Sequence, residues 1–158
     1  YENSRHYTAL AWAAEMAKVE SVVGLLESGA DVDYESGLGL TPLMHAAALG
    51  KYESIAALVT GGATVNYESA TSRTALMAAL RTGKEELAAL AIDALVQRGA
   101  MVDYETKEHH TALIEAASLG LVDSIGRLVA HGAHPDYEAT DGKTALMYAC
   151  EGGQTEAI

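Results

Sequence analysis

A Thr followed by Pro or Ala and then Leu occurs five times, at Thr8, Thr41, Thr74, Thr111 and Thr144, in steps of 33, 33, 37 and 33 residues. Self-similarity at such a period restricts the chain to repeat architectures, in which each copy is one supersecondary unit stacked on the next. Other residues keep the same register. Gly-Ala recurs at Gly29-Ala30, Gly62-Ala63, Gly99-Ala100 and Gly132-Ala133. Each pair is followed by an acid or amide and then Tyr-Glu: Asp33-Tyr34-Glu35, Asn66-Tyr67-Glu68, Asp103-Tyr104-Glu105 and Asp136-Tyr137-Glu138. Tyr1-Glu2 is the remnant of one more.

Within a unit the local signals predict two helices and a finger. Thr41 is a candidate cap, with Pro42 in the first turn where its missing N–H costs nothing. Leu43, Ala46 and Ala47 then form an apolar face at helical spacing, with alanines small enough for close packing. Gly50 ends this helix in a left-handed conformation. A second helix carries Ile55, Leu58 and Val59 inward and stops at Gly62. Thr64 to Arg73 reads as a strand–turn–strand finger. No such unit can bury its apolar face alone, so neighbours must stack.

Thr-Pro-Leu-Met-His-Ala-Ala (41–47), Gly50, Leu58-Val59 and Gly62-Ala63-Thr64-Val65-Asn66 resemble the ankyrin consensus, and the likeness runs along essentially the whole chain. It implies an all-α solenoid of stacked helix-turn-helix units with β-hairpin fingers. The units fall at about 1–33, 34–66, 67–103 and 104–136, with a partial fifth at 137–158. Departures from the pattern carry expectations of their own. Ala11, Met44, Met77, Ile114 and Met147 stand where the family's His follows Thr-Pro-Leu. Ala17 replaces a helix-ending Gly, which predicts a looser first turn, and Pro135 replaces the finger-strand Val and lacks a donor. The four extra residues of the third unit amount to about one helical turn, so they predict a longer second helix between Glu85 and Arg98. Tyr1 opens inside a finger and Ile158 closes near the start of a second helix, so the chain is expected to be a piece of a longer protein.

The net charge is −12, from 22 acidic and 10 basic residues. Such a surface repels phosphate backbones and anionic membranes and favours encounter with a basic partner. One cysteine, Cys150, allows no internal disulfide and suits an intracellular compartment, cytoplasmic or nuclear. No basic segment followed by an apolar one opens the chain, so no signal peptide is expected. The most apolar window, Leu87 to Val96, contains Asp93 and is too short to span a membrane.

Chemistry finds little support. Glu108-His109-His110 and the His131/His134 pair lack the spacing of common zinc sites and read as solvated loop histidines. Cys150 reads as a buried, inert thiol on a small-residue helix face. No Gly-x-Ser-x-Gly elbow and no Gly-rich loop before Lys-Ser or Lys-Thr is present. No catalysis, cofactor or metal is expected, and the resemblance implies protein or peptide recognition by a monomer.

Recognition in this family uses finger tips and the concave face of the first helices. Carried over, the residues before each Thr are Tyr7, Leu40, Arg73, His110 and Lys143. Those four after it are Trp12, His45, Ala78, Glu115 and Tyr148. The pairs after each Ala-Ala-like dipeptide are Glu15-Met16, Ala48-Leu49, Leu80-Arg81, Ser118-Leu119 and Glu151-Gly152. These positions vary while the scaffold repeats, which marks them as a binding surface, with an anchor pocket expected near Tyr7, Trp12 and His45. The competing reading is that Trp12 covers the end of the first unit. The Tyr-Glu series also has two readings: a cradle for an Arg/Lys-rich segment, or scaffolding, with Tyr packed on the next unit and Glu68–Arg73, Glu105–His110 and Glu138–Lys143 paired across each tip. An adaptor, a reader of basic peptides, and a regulatory or spacer segment of a larger enzyme, channel or cytoskeletal protein all fit.

Overall fold

In the computed structural model, which describes residues 7–154, each Thr-x-Leu segment starts a short helix and each of the first four units adds a second one antiparallel to it. The first helices are α1 (Ala9–Glu15), α3 (Pro42–Ala48), α5 (Ala75–Leu80), α7 (Ala112–Ser118) and α9 (Ala145–Glu151). The second helices are α2 (Val19–Glu27), α4 (Tyr52–Thr60), α6 (Glu85–Val96) and α8 (Val122–Ala130). First helices pack on one another in the order α1, α3, α5, α7, α9, and second helices in the order α2, α4, α6, α8. The result is a two-layer helical solenoid.

The threonines start the helices for a specific reason. Thr8, Thr41, Thr74 and Thr111 have extended backbones, and each hydroxyl accepts the amide N–H three residues on, at 3.1, 3.3, 3.4 and 3.3 Å. Such a cap contributes about 1 kcal/mol. Thr144 has the same backbone without the side-chain bond. Leu10, Leu43, Leu76 and Leu113, two residues past each cap, are at most 3% exposed and form the core with the alanines that follow.

Gly50 ends α3 at φ 60°, and a Cβ there would lie 3.0 Å from the Leu87 carbonyl oxygen of the next unit. Ala17 adopts φ 54° at the same position. The expected loosening does not occur, because its turn keeps the bonds of the glycine turns: Ala17 N–H to Ala14 at 3.2 Å and Lys18 N–H to Ala13 at 2.9 Å. The longer helix of the third unit is present. α6 has 12 residues where α2, α4 and α8 have 9, and the fourth extra residue lies in the turn before Gly99.

The fingers differ from the expected β-hairpins. Among the described residues there is no strand beyond an isolated bridge at Thr8. Each finger is a tight loop closed by one long bond, such as Ser69 N–H to the Arg73 carbonyl at 2.9 Å, and one inner bond, Ser72 N–H to Ser69 at 2.9 Å. Pro135 is accommodated without loss for the same reason. It sits second in a turn closed by Tyr137 N–H to His134 at 3.1 Å, where Val65 sits in the Thr64–Tyr67 turn, and proline suits that position.

Candidate functional site

The Tyr-Glu series joins each finger to the next. Glu35 accepts the Tyr67 hydroxyl at 3.0 Å and the Ala70 amide at 3.0 Å. Glu68 accepts Tyr104 at 3.3 Å and the Lys107 amide at 3.0 Å. Glu105 accepts Tyr137 at 2.5 Å and the Thr140 amide. Each carboxylate therefore holds both the ring and the tip of the following finger. The bonds to Glu35 and Glu105 are the main reason the Tyr67 and Tyr137 hydroxyls titrate above their ordinary range. For Tyr104 burial leads, followed by Glu68. Tyr137 in turn holds Glu105 below the usual carboxylate range.

A second rung lies beneath. Asp33 accepts the Thr64 amide at 3.1 Å, Asn66 accepts the Met101 amide at 2.8 Å, and Asp103 accepts that of His134 at 3.2 Å. The anticipated pairs within one tip are not seen among the described residues; Glu68 and Glu105 instead reach the neighbouring loop. Glu105 meets His109 at 3.1 Å, not His110, and Lys143 meets Glu151 at 2.9 Å, not Glu138.

The varying positions separate into three groups. Tyr7, Leu40, Arg73, His110 and Lys143 are all half-buried along the inner edge of the fingers. The position four after each Thr is less open than expected. His45 is 5% and Ala78 2% exposed, since this position faces the preceding first helix, whereas Trp12 has no such helix before it among the described residues and is 59% exposed. The expected anchor is accordingly divided. Tyr7 and His45 rings lie 4.7 Å apart, with His45 Nε2 3.2 Å from Ser36 Oγ. Trp12 instead lines a separate apolar hollow of about 460 Å³ with Met16, Ala13 and Leu25 on the outer side of the first unit. Burial lowers the His45 imidazole to about 4, so it stays neutral at physiological pH. Glu15 and Leu49 are half-buried, and Leu119 is exposed.

Units three to five bring the remaining candidates together. Arg73, Arg81, His110 and Glu115 line one cleft of about 180 Å³ between two finger tips and the first helices. Arg81 bonds Glu115 at 3.2 Å, and His110 Nδ1 lies 3.9 Å from the same carboxylate. The His110 ring meets Tyr148 edge-on at 5.4 Å, and Lys143 lies 5.3 Å from the Tyr148 ring centre. Burial, then the bond to Asp141, raises the Tyr148 hydroxyl to about 12. Thr71, Ser72, Met77 and Glu108 also line the cleft and were not among the sequence candidates. Tip residues of neighbouring fingers converge only once the loops are folded, and residue type alone does not mark them.

Three chemical expectations need correction or restatement. Cys150 is exposed, whereas its counterparts Ala14, Ala47, Leu80 and Ala117 are at most 3% exposed, because no second helix follows α9 among the described residues. His131 is half-buried, 2.8 Å from Asp93, which also pairs with Arg127, whereas His134 is solvent-exposed as expected and bonds Asp103 there. Among the described residues no three His, Cys, Asp or Glu side chains converge as a metal site requires, and no helix is long and apolar enough to cross a membrane.

A family model for ankyrin repeats in three copies matches residues 88–158, and one for a single ankyrin repeat matches residues 38–70. No curated protein matches the chain significantly. With caps, helix pairs and inter-unit bonds recurring in the same register, the chain belongs to the ankyrin-repeat family.

Proposed function

We propose that this protein binds a peptide or a folded protein partner along its inner finger edge and first-helix groove, and performs no chemistry of its own. Ankyrin repeats generally serve protein–protein interaction. The observation that carries the finer reading is the cleft lined by Arg73, Arg81, His110 and Glu115. It assembles non-repeating, polar, partly exposed side chains from two units beside a scaffold whose recurring Glu35, Glu68 and Glu105 carboxylates are bonded to the next finger. Arginine and aromatic side chains in such settings supply a large share of binding energy.

A reader of Arg/Lys-rich segments draws support from the −12 charge. It loses the Tyr-Glu cradle, since Glu35, Glu68 and Glu105 are already bonded to the next finger. A single cysteine, Cys150, which can form no disulfide within the chain, favours a reducing compartment, cytoplasmic or nuclear.

Selection from a displayed random-peptide library tests the proposal. Selected peptides should lose affinity for an Arg81→Ala, Glu115→Ala variant and keep it for the back-face variant Val129→Ala, all three proteins having equal helical circular dichroism. Equal binding by all three would remove the site from the groove.

A further inference from the structure

The half-buried column along the finger edge changes chemistry in one direction, from the Tyr7 ring and the Leu40 side chain to the guanidinium of Arg73, the imidazole of His110 and the ammonium of Lys143. The last three follow one another in successive units of a chain whose net charge is −12. Arg73 forms no ion pair among the described residues, although it lines the cleft. Arg81, in the same cleft, gives one N–H to Glu115 and keeps its others.

Resting on the groove reading above, we propose that the partner segment is an extended acidic peptide. Its carboxylates lie at every third residue over Arg73, His110 and Lys143, with an apolar residue toward Leu40 and Tyr7. The spacing follows from packing. Neighbouring first helices lie roughly 8–10 Å apart, which an extended chain covers in about three residues at ~3.3 Å each.

Competing charges are present and exchangeable. His110 and Arg81 share Glu115, and Lys143 has Glu151 at 2.9 Å and Asp141 at 3.9 Å. Exposed pairs of this kind contribute little and yield to a better-placed carboxylate. Arg73 has no such pair to give up. Glu108 and Glu115 both line the cleft and oppose an anion there, Glu108 being the exposed one with no ion pair among the described residues.

The test is fluorescence polarisation with a capped peptide of one Leu followed by three Gly-Ser-Glu triplets, beside the same peptide with Lys for Glu. The acidic peptide should bind and weaken as salt is raised, and the Lys peptide should not bind. Arg73→Ala should weaken it about tenfold, the usual loss for a charge-assisted hydrogen bond. Arg73→Lys should restore part of that loss, Glu108→Gln should tighten binding, and Lys18→Ala should leave it unchanged. An unbound acidic peptide, or binding indifferent to Arg73→Ala, overturns the proposal. Preference for the Lys peptide, lost in Glu108→Gln, overturns the acidic partner while leaving groove recognition standing. Groove recognition itself fails only if library peptides ignore the groove variant.

Discussion

The finger clasps and the groove column lie side by side, yet they use polar residues in opposite ways. Glu35, Glu68 and Glu105 recur in register, and each accepts a hydroxyl and an amide from the next unit. Arg73, His110 and Lys143 also occupy one register, but their chemistry changes, and their contacts are an incomplete set of exposed pairs. In a solenoid, stability is a sum over nearly identical neighbour interfaces. A polar residue whose contact is needed at every interface recurs, whereas the side chains of the varying column make no contact common to all of them among the described residues. Substitutions in the two tiers should separate stability from binding.

The strongest challenge to that division is His45, a varying residue that the fold has buried. Its imidazole falls to about 4 on folding, against an ordinary value of ~6.5. The folded state thus binds the proton less readily than the unfolded chain. His45 leaves stability unaffected above pH ~6.5, and stability falls as pH drops from there through 4. At ~1.36 kcal/mol per unit, the full loss is about 3 kcal/mol. Urea unfolding between pH 7 and 4 should show this slope, and His45→Gln should flatten it. A slope unchanged in the variant would place the acid sensitivity in the carboxylates. Glu105, whose folded value is depressed, loses its contribution only at lower pH, as it is protonated.

The direct comparison of the tiers is next in size. Glu105→Ala removes the acceptor of Tyr137, the Thr140 amide and His109, and should cost about 1–2 kcal/mol. Arg81→Ala breaks one exposed pair and should cost less than about 1 kcal/mol. Equal losses in urea denaturation would erase the distinction between clasp and groove.

Much of this organisation was legible in the sequence, for identifiable reasons. Thr-x-Leu placed every first helix because capping and core packing act within one unit. The four extra residues of the third unit lengthened α6 because helix length is likewise local. What escaped depends on the neighbour. The partner of Glu68 lies 39 residues away at Lys107, not across its own tip. The burial of His45 is set by α1 packing against α3. Pro135 carried a usable signal, since His-Pro-Asp-Tyr reads as a turn as readily as a broken strand.

The smallest effect tests the same idea among the second helices, where one position is satisfied in one unit and unsatisfied in another. Ser124, four residues past its turn glycine, gives its amide to Glu85 at 2.8 Å and its hydroxyl at 2.9 Å. Ser54 holds the same place in α4, yet its buried hydroxyl has no partner. The counterpart of Glu85 in the preceding unit is Val19, the first residue of α2, which offers no acceptor. Val19→Glu should supply that carboxylate, satisfy Ser54, and add a favourable charge at a helix N-terminus. Some apolar contact of the half-buried Val19 is lost, so the expected gain is about 0.5–1 kcal/mol. In a Ser54→Ala background the gain should shrink to the helix-end term alone. An undiminished gain there would mean that the two interfaces are not interchangeable, and that their difference lies in packing rather than in one missing carboxylate.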